Sequence, residues 1–346
     1  MRSVSKYGES FGTAKALRRI FRDGPKGGLL RMRAGCFHVP RMASAHAVFC
    51  IFGRERAEKE KAESPCRIQD RTAPMTLLQA MLIAILQGIT ELFPISSLGH
   101  TVVLPALLGW GEITKQPDFL PLIVIMHLGT AVALLIYFWR DWYDFGMSLV
   151  NRNSARAGAD RRLFLMIVIA TIPAALIGFF LEKTLRGAFS TPLLAASFLV
   201  VNGFMLLIGE RIRQGGQQSL DQLTWEGALA IGFAQATALI PGISRSGATI
   251  IGGVIVGLHH KDSARFSFLI ATPIIFGAAL HQIPKLDHAA FGSLAALSFL
   301  VSGIFAYAST WFLMRYFKAH DLGALNPFAY YCAIFGFGAI AWLNLM

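Results

Sequence analysis

Charge is what this sequence has least of. Only 15% of its 346 residues are Asp, Glu, Lys or Arg, whereas 54% are hydrophobic. Soluble domains run to about a quarter charged, so the polar surface needed to keep this chain in water is missing. Cysteine is scarce too: there are four, without CxxC or metal-ligand spacing. That excludes a disulfide framework and a zinc site. The net charge of +12 does not mark a nucleic-acid binder once it is located. Residues 1–74 carry 16 Lys/Arg against 7 Asp/Glu, and residues 75–346 carry 16 against 13. A soluble enzyme, a nucleic-acid module and a stapled secreted domain are all excluded.

Residues 1–74 also lack any apolar run of membrane length, the short Ala45–Phe52 stretch being bounded by charge. The order of a secretory signal, basic then apolar then small, is absent as well. This stretch reads as a basic leader, disordered or upstream of a natural start at Met75. Residues 75–346 read as a single integral membrane domain.

Apolar runs of about 20 residues, enough to cross the hydrocarbon of a bilayer, are abundant in that domain. Six full spans are expected at 119–139, 163–181, 192–209, 266–283, 291–314 and 327–346. Two further segments, 76–110 and 225–258, are apolar helices broken near their middles. Pro94 with the Ser-Ser-Leu-Gly after it ends the first, and Pro241-Gly242 ends the second. Proline cannot donate a helical hydrogen bond and turns the preceding residue away from helix.

The broken segments align at an offset of 148 residues. Gln87/Gln235, Ile95/Ile243, Ser96/Ser244, Gly99/Gly247, Thr101/Thr249 and Gly109/Gly257 are identical pairs, concentrated at the breaks. Read as hairpins that enter and leave on one side, they are separated by three crossings. An odd number inverts the second relative to the first, with the breaks meeting near the midplane. The expected fold is an all-α polytopic bundle of six spans and two re-entrant hairpins, with inverted repeats over about 75–209 and 225–346. Loops 140–162, 210–224, 259–265 and 315–325 hold 11 Lys/Arg, and those of the other side hold 4. The positive-inside rule puts the first set in the cytoplasm.

Three strongly polar or ionisable residues fall deep in the breaks: Glu91, His100 and Arg245. Ionisable groups are costly in hydrocarbon and mark function by default. A Glu91–Arg245 ion pair holding the hairpins together is the plain structural reading. It leaves unexplained the hydroxyls of Thr90, Ser96, Ser97, Ser244, Ser246 and Thr249. Gln87 and Glu91 share one helix face, and the serines sit where two helices restart. Helix N-termini with small side chains bind anions, and an arginine fork suits phosphate oxygens. Gly99, Gly242 and Gly247 let the backbone approach. The expected ligand contacts are Ser96, Gly99, Gly242, Ser244, Ser246, Gly247 and Thr249. His259-His260 reads as a solvated turn, and His281, His288 and His320 as interfacial.

QGITELFPISSLGH followed by PGISRSGATI resembles the two signature regions of the bacitracin-resistance type undecaprenyl-diphosphatases. The resemblance extends over essentially all of 75–346, including Phe266-Ser267-Phe268-Leu269. It implies hydrolysis of undecaprenyl diphosphate to the monophosphate on the outer face of the bacterial inner membrane, recycling the lipid carrier of cell-wall synthesis. It implies Glu91, Ser97, His100 and Arg245 as catalytic residues, with Ser97 or His100 as nucleophile. It further implies a divalent cation, Mg or Ca, held by Glu91 and Gln87. Many members carry Glu where this chain has Gln87, which has no carboxylate to act as a base. His127 stands where a glutamine is expected. A rival reading is an inverted-repeat transporter or flippase for a polyprenyl phosphate. The sequence leaves the oligomeric state open.

Overall fold

The computed structural model describes residues 75–116, 118–151, 156–188, 191–212, 218–283 and 292–345. The expected leader lies outside them. The described residues form eleven α-helices and no strand. In chain order the helices are α1 Leu77–Thr90, α2 Ser97–Leu107, α3 Phe119–Tyr137, α4 Trp139–Val150, α5 Ala157–Ala188 and α6 Pro192–Ile212. They continue with α7 Trp225–Thr237, α8 Arg245–Ile255, α9 His260–Gln282, α10 Ser293–Ala319 and α11 Asn326–Leu345. Six of these, α3, α5, α6, α9, α10 and α11, are long and apolar enough to cross a membrane. The chain is a multi-pass membrane protein.

The two expected breaks are present, and local chemistry accounts for both. A capping box between Thr76 and Gln79 starts α1, satisfying helix-end N–H groups that would otherwise lack partners. The helix stops ahead of Pro94, and α2 restarts with Ser96 as N-cap, its hydroxyl accepting from the Gly99 N–H at 3.2 Å. The second pair repeats the device. Thr224 caps α7, and Ser244 caps α8 by accepting from the Gly247 N–H at 3.1 Å.

Packing puts the breaks at the centre. The spans α3 and α9 touch each other and are the innermost, with 61% of their apolar windows buried, against 28% for α5 and α11. Helix α1 packs on α10, α7 packs on α5, and α6 packs along α11. Leu92 and Ile95 from the first break share a core with Leu134, Met166, Leu206, Phe266 and Phe268. Outward faces carry Phe180, Leu280 and Ile334, all more than two-thirds exposed, as a lipid-facing surface requires.

Two expectations need correction. Residues 140–162 were expected as a loop, yet they contain α4. That helix buries Phe145 and Ser148 and packs on α5. Its Arg140, Asp141 and Asp144 interrupt a hydropathy window, which cannot see a one-sided helix. The turn expected at His259-His260 is the start of α9, and His260 is fully buried. Its Nε2 lies 2.8 Å from Glu210 and its Nδ1 3.3 Å from Asp321. Glu210 also accepts the Gly323 N–H at 2.8 Å, so this corner ties α6, α9 and the approach to α11. His288 lies outside the described residues.

Candidate active site

Backbone conformation positions the first group. Ser96 has φ +69°, the only left-handed non-glycine among the described residues. Such a conformation costs on the order of 1–3 kcal/mol and persists only where its surroundings enforce it. Here the Ser96 carbonyl accepts from His100 Nδ1 at 2.7 Å, and its hydroxyl caps α2. The kink sets Ser97 at the first turn of α2 with its hydroxyl turned back to α1. Ser97 Oγ donates to Glu91 Oε2 at 2.6 Å.

Glu91 is the hub. The same Oε2 accepts from Gln87 Nε2 at 3.0 Å and lies 3.3 Å from His127 Nε2. Its Oε1 accepts from Arg245 Nη2 at 3.2 Å. Arg245 Nη1 reaches the Ser267 carbonyl at 3.5 Å, while Arg245 Nε is buried without a partner. The oxygens Gln87 Oε1 and Gln235 Oε1 are likewise buried and unpartnered. Buried polar atoms are normally satisfied, so the unpaired guanidinium N–H is a donor with capacity to spare in this cluster.

The two breaks are fastened to each other. Ser246 Oγ donates to the Phe93 carbonyl at 2.9 Å, and Ser244 Oγ reaches it at 3.4 Å. Asn202 of α6 bridges them: its Nδ2 donates to the Pro94 carbonyl at 3.0 Å, and its Oδ1 accepts the Ser244 N–H at 2.9 Å. At Gly242, φ is +100° and a Cβ would lie 2.5 Å from the Ala195 carbonyl oxygen. A Cβ at Gly99 would lie 3.3 Å from Gly242 Cα, so the two loops approach backbone to backbone.

A cavity of about 330 Å³ opens over this cluster. Its polar lining comprises Glu91, Ser96, Ser97, His127, Gln235, Ser244, Arg245 and Gln282. Its apolar lining includes Leu120, Ile123 and Val124 of α3 and Ile274, Ile275 and Ala278 of α9. Of the expected site residues, Glu91, Ser96, Ser97, Ser244 and Arg245 meet here. Ser246 and Thr249 stand behind, the latter 2.5 Å from Ser267 Oγ and bonded to the Arg245 carbonyl. Gly99, Gly242 and Gly247 do not line the cavity, and the N–H groups of Gly99 and Gly247 are taken by the Ser96 and Ser244 hydroxyls. His100 does not line the cavity; it turns away, with Nε2 2.9 Å from the Tyr331 hydroxyl and its ring stacked on Phe335.

The oxygens that could hold a cation here are those of Glu91 and the buried, unpartnered Gln87 Oε1 and Gln235 Oε1. Both oxygens of Glu91 already face donors, two of them on Arg245 and His127. Gln87 turns its amide nitrogen toward the same carboxylate. Among the described residues no group of three His, Cys, Asp or Glu is arranged to hold a metal, whereas hard divalent cations ask for several oxygen ligands.

A family model described as bacitracin resistance protein BacA matches residues 80–338. The chain belongs to that family. Among BacA relatives, the undecaprenyl-diphosphatase of Granulibacter bethesdensis is 50% identical over 292 residues, 79% of this chain and 99% of the relative. That of Acidiphilium cryptum is 51% identical over 272 residues, 76% of this chain and 96% of the relative. An undecaprenyl-diphosphatase 2 of Chromobacterium violaceum is 47% identical over 267 residues, with 76% and 97% covered. Motif reading missed three residues of this BacA family member: Gln235, which lines the cavity, and Asn202 and Tyr331, which support the breaks from outside it. Gln235 was visible only as the repeat partner of Gln87. Asn202 is a lone amide in an apolar span, a signal that stands out in hydrocarbon. Tyr331 gave none.

Proposed function

We propose that this protein is an undecaprenyl-diphosphatase, releasing inorganic phosphate from undecaprenyl diphosphate and leaving undecaprenyl phosphate. The carrying observation is Ser97 Oγ at 2.6 Å from Glu91, in a cavity lined by both polar and apolar side chains. A diphosphate on a prenyl chain has that same two-part character. Ser97 attacks the terminal phosphorus, its proton passes to Glu91, and undecaprenyl phosphate departs. Glu91 passes that proton to the departing phosphate oxygen and is again a carboxylate. It then takes a proton from the water that attacks the phosphoserine phosphorus and returns it to Ser97 Oγ as the Oγ–P bond breaks and phosphate leaves. Arg245 holds phosphoryl oxygens through its Nη and free Nε donors, aided by the N-termini of α2 and α8. His100 holds the Ser96 carbonyl and hence the kink that presents Ser97. The names of the relatives favour hydrolysis over carriage of the lipid.

In this reading the enzyme sits in the bacterial inner membrane with its cavity open to the periplasmic face. There it would restore the carrier for peptidoglycan synthesis and confer bacitracin resistance. The α1–α2 and α7–α8 pairs are the re-entrant hairpins of an inverted repeat. Reciprocal packing supports this: α1 of the first half leans on α10 of the second, and α7 of the second on α5 of the first.

The test is release of orthophosphate from undecaprenyl diphosphate by the purified chain in detergent, where no second compartment exists. Lipid binding without release would identify a carrier instead.

A further inference from the structure

A second recess lies at the other end of the helices that wall the catalytic cavity. Helix α3 lends Leu120 and His127 to the cavity, and Tyr137, about 15 Å beyond His127 along the helix, to the recess. Helix α9 likewise lends Ile274 and Ile275 to the cavity, and Lys261 and Arg265 to the recess. Trp139, Arg140 and Asp141 of α4 and Met314 of α10 join them around about 470 Å³.

Cations outnumber carboxylates there. Arg265 donates to Asp141, which leaves Arg140 and Lys261. Among the described residues neither of these makes an ion pair or a side-chain hydrogen bond; Arg140 lies over the Trp139 ring, 5.5 Å from its centroid. Two cations that share a recess repel each other unless an anion comes between them, and both keep their donors free for one.

Depth and flank identify that anion. The apolar span of α3 ends at Tyr137, so the recess sits where hydrocarbon gives way to headgroups, the level at which Tyr and Trp rings collect. From Met314 a strip of α10 runs back into the span through Trp311, Tyr307 and Ile304 at helical spacing, each at least 45% exposed. The Tyr307 ring meets Tyr137 edge to face, joining the strip to the recess. An acyl chain on the strip places its phosphate at Arg140 and Lys261.

We infer that this recess is a binding site for an anionic phospholipid, its phosphate held by Arg140 and Lys261 and its chain laid along α10. Basic pockets between spanning helices at the membrane surface bind such headgroups. The site is separate from the proposed catalytic one, since no residue lines both.

The experiment titrates the full chain, stripped of lipid in a neutral detergent, with phosphatidylglycerol, phosphatidylcholine or orthophosphate, and reads the thermal unfolding midpoint. A ligand that binds the folded state raises it. Phosphatidylglycerol should do so saturably and the other two should not. An equal rise with phosphatidylcholine would show an unselective lipid surface, and one with orthophosphate a free-anion site; either overturns the proposal. In Arg140→Gln/Lys261→Gln the apparent Kd for phosphatidylglycerol should rise about tenfold or more. In Lys115→Gln/Arg211→Gln, which removes two cations elsewhere, it should stay within twofold. Equal losses in the two variants would mean that net charge is read and not the recess. A second measurement needs no variant. A photoactivatable phosphatidylglycerol should label peptides spanning 137–141 and 304–314 of the unmodified chain, and unlabelled phosphatidylglycerol should displace it. Labelling that falls equally on the outward faces of α5 and α11 would rule the site out.

Discussion

The Ser97 hydroxyl and the Glu91 carboxylate lie 2.6 Å apart, although a helix end and a proline turn separate them in the chain. The contact joins the end of α1 to the start of α2, and the left-handed Ser96 between them directs it. In the proposed reaction it pairs the nucleophile with its proton acceptor within hydrogen-bond reach, the geometry that covalent catalysis requires.

Ser97→Ala should therefore abolish phosphate release while leaving lipid binding measurable, since it removes one hydroxyl and no charge. Turnover is read as orthophosphate released, and binding as retention of labelled lipid. Near-normal turnover in this variant would remove Ser97 as the nucleophile.

Arg245→Lys separates chemistry from simple ion pairing. Lysine keeps the charge but not the planar fork that grips two oxygens. Loss of a contact preorganised for the transition state lowers kcat/KM on the order of 10²-fold. A purely structural pair would tolerate lysine. It would also let Glu91→Gln/Arg245→Ala recover stability and activity together, which we expect not to happen.

Asn202→Leu tests the fastening of the two breaks. It leaves the Pro94 carbonyl and the Ser244 N–H without their buried partner, and each such group costs about 1–3 kcal/mol. Thermal unfolding in detergent should fall by several degrees. Activity should drop further than stability alone explains, because Ser97 and Arg245 sit on opposite breaks.

His260→Ala should do the reverse. The ring is buried between Glu210 and Asp321 and does not line the cavity. Removing it takes one buried partner from Glu210, which keeps the Gly323 and Leu325 N–H donors, a loss on the order of 1–3 kcal/mol, so folded yield falls. The kcat/KM of the protein that does fold should remain close to that of the parent, measured per mole of folded enzyme.

Much of the fold was legible in one dimension, because a bilayer imposes simple demands. Each crossing must be a helix with its backbone bonds satisfied internally, so apolar length alone located six spans. Pro94 and Pro241-Gly242 located the two breaks, and the cost of charge in hydrocarbon picked out Glu91, His100 and Arg245. What length and hydropathy do not encode is where a side chain points. Helix α4 was hidden because its apolar residues lie on one face, and His260 because its carboxylate partners are 50 and 61 residues away. His100 stood in the signature motif, yet packing against Tyr331 and Phe335 turns it from the cavity. His127 stood outside the motif, yet α3 carries it to Glu91, 36 positions earlier in the chain. Sequence settled which residues are costly to bury. Only tertiary structure decided which of them face one another, because that depends on how the breaks are fastened across α6.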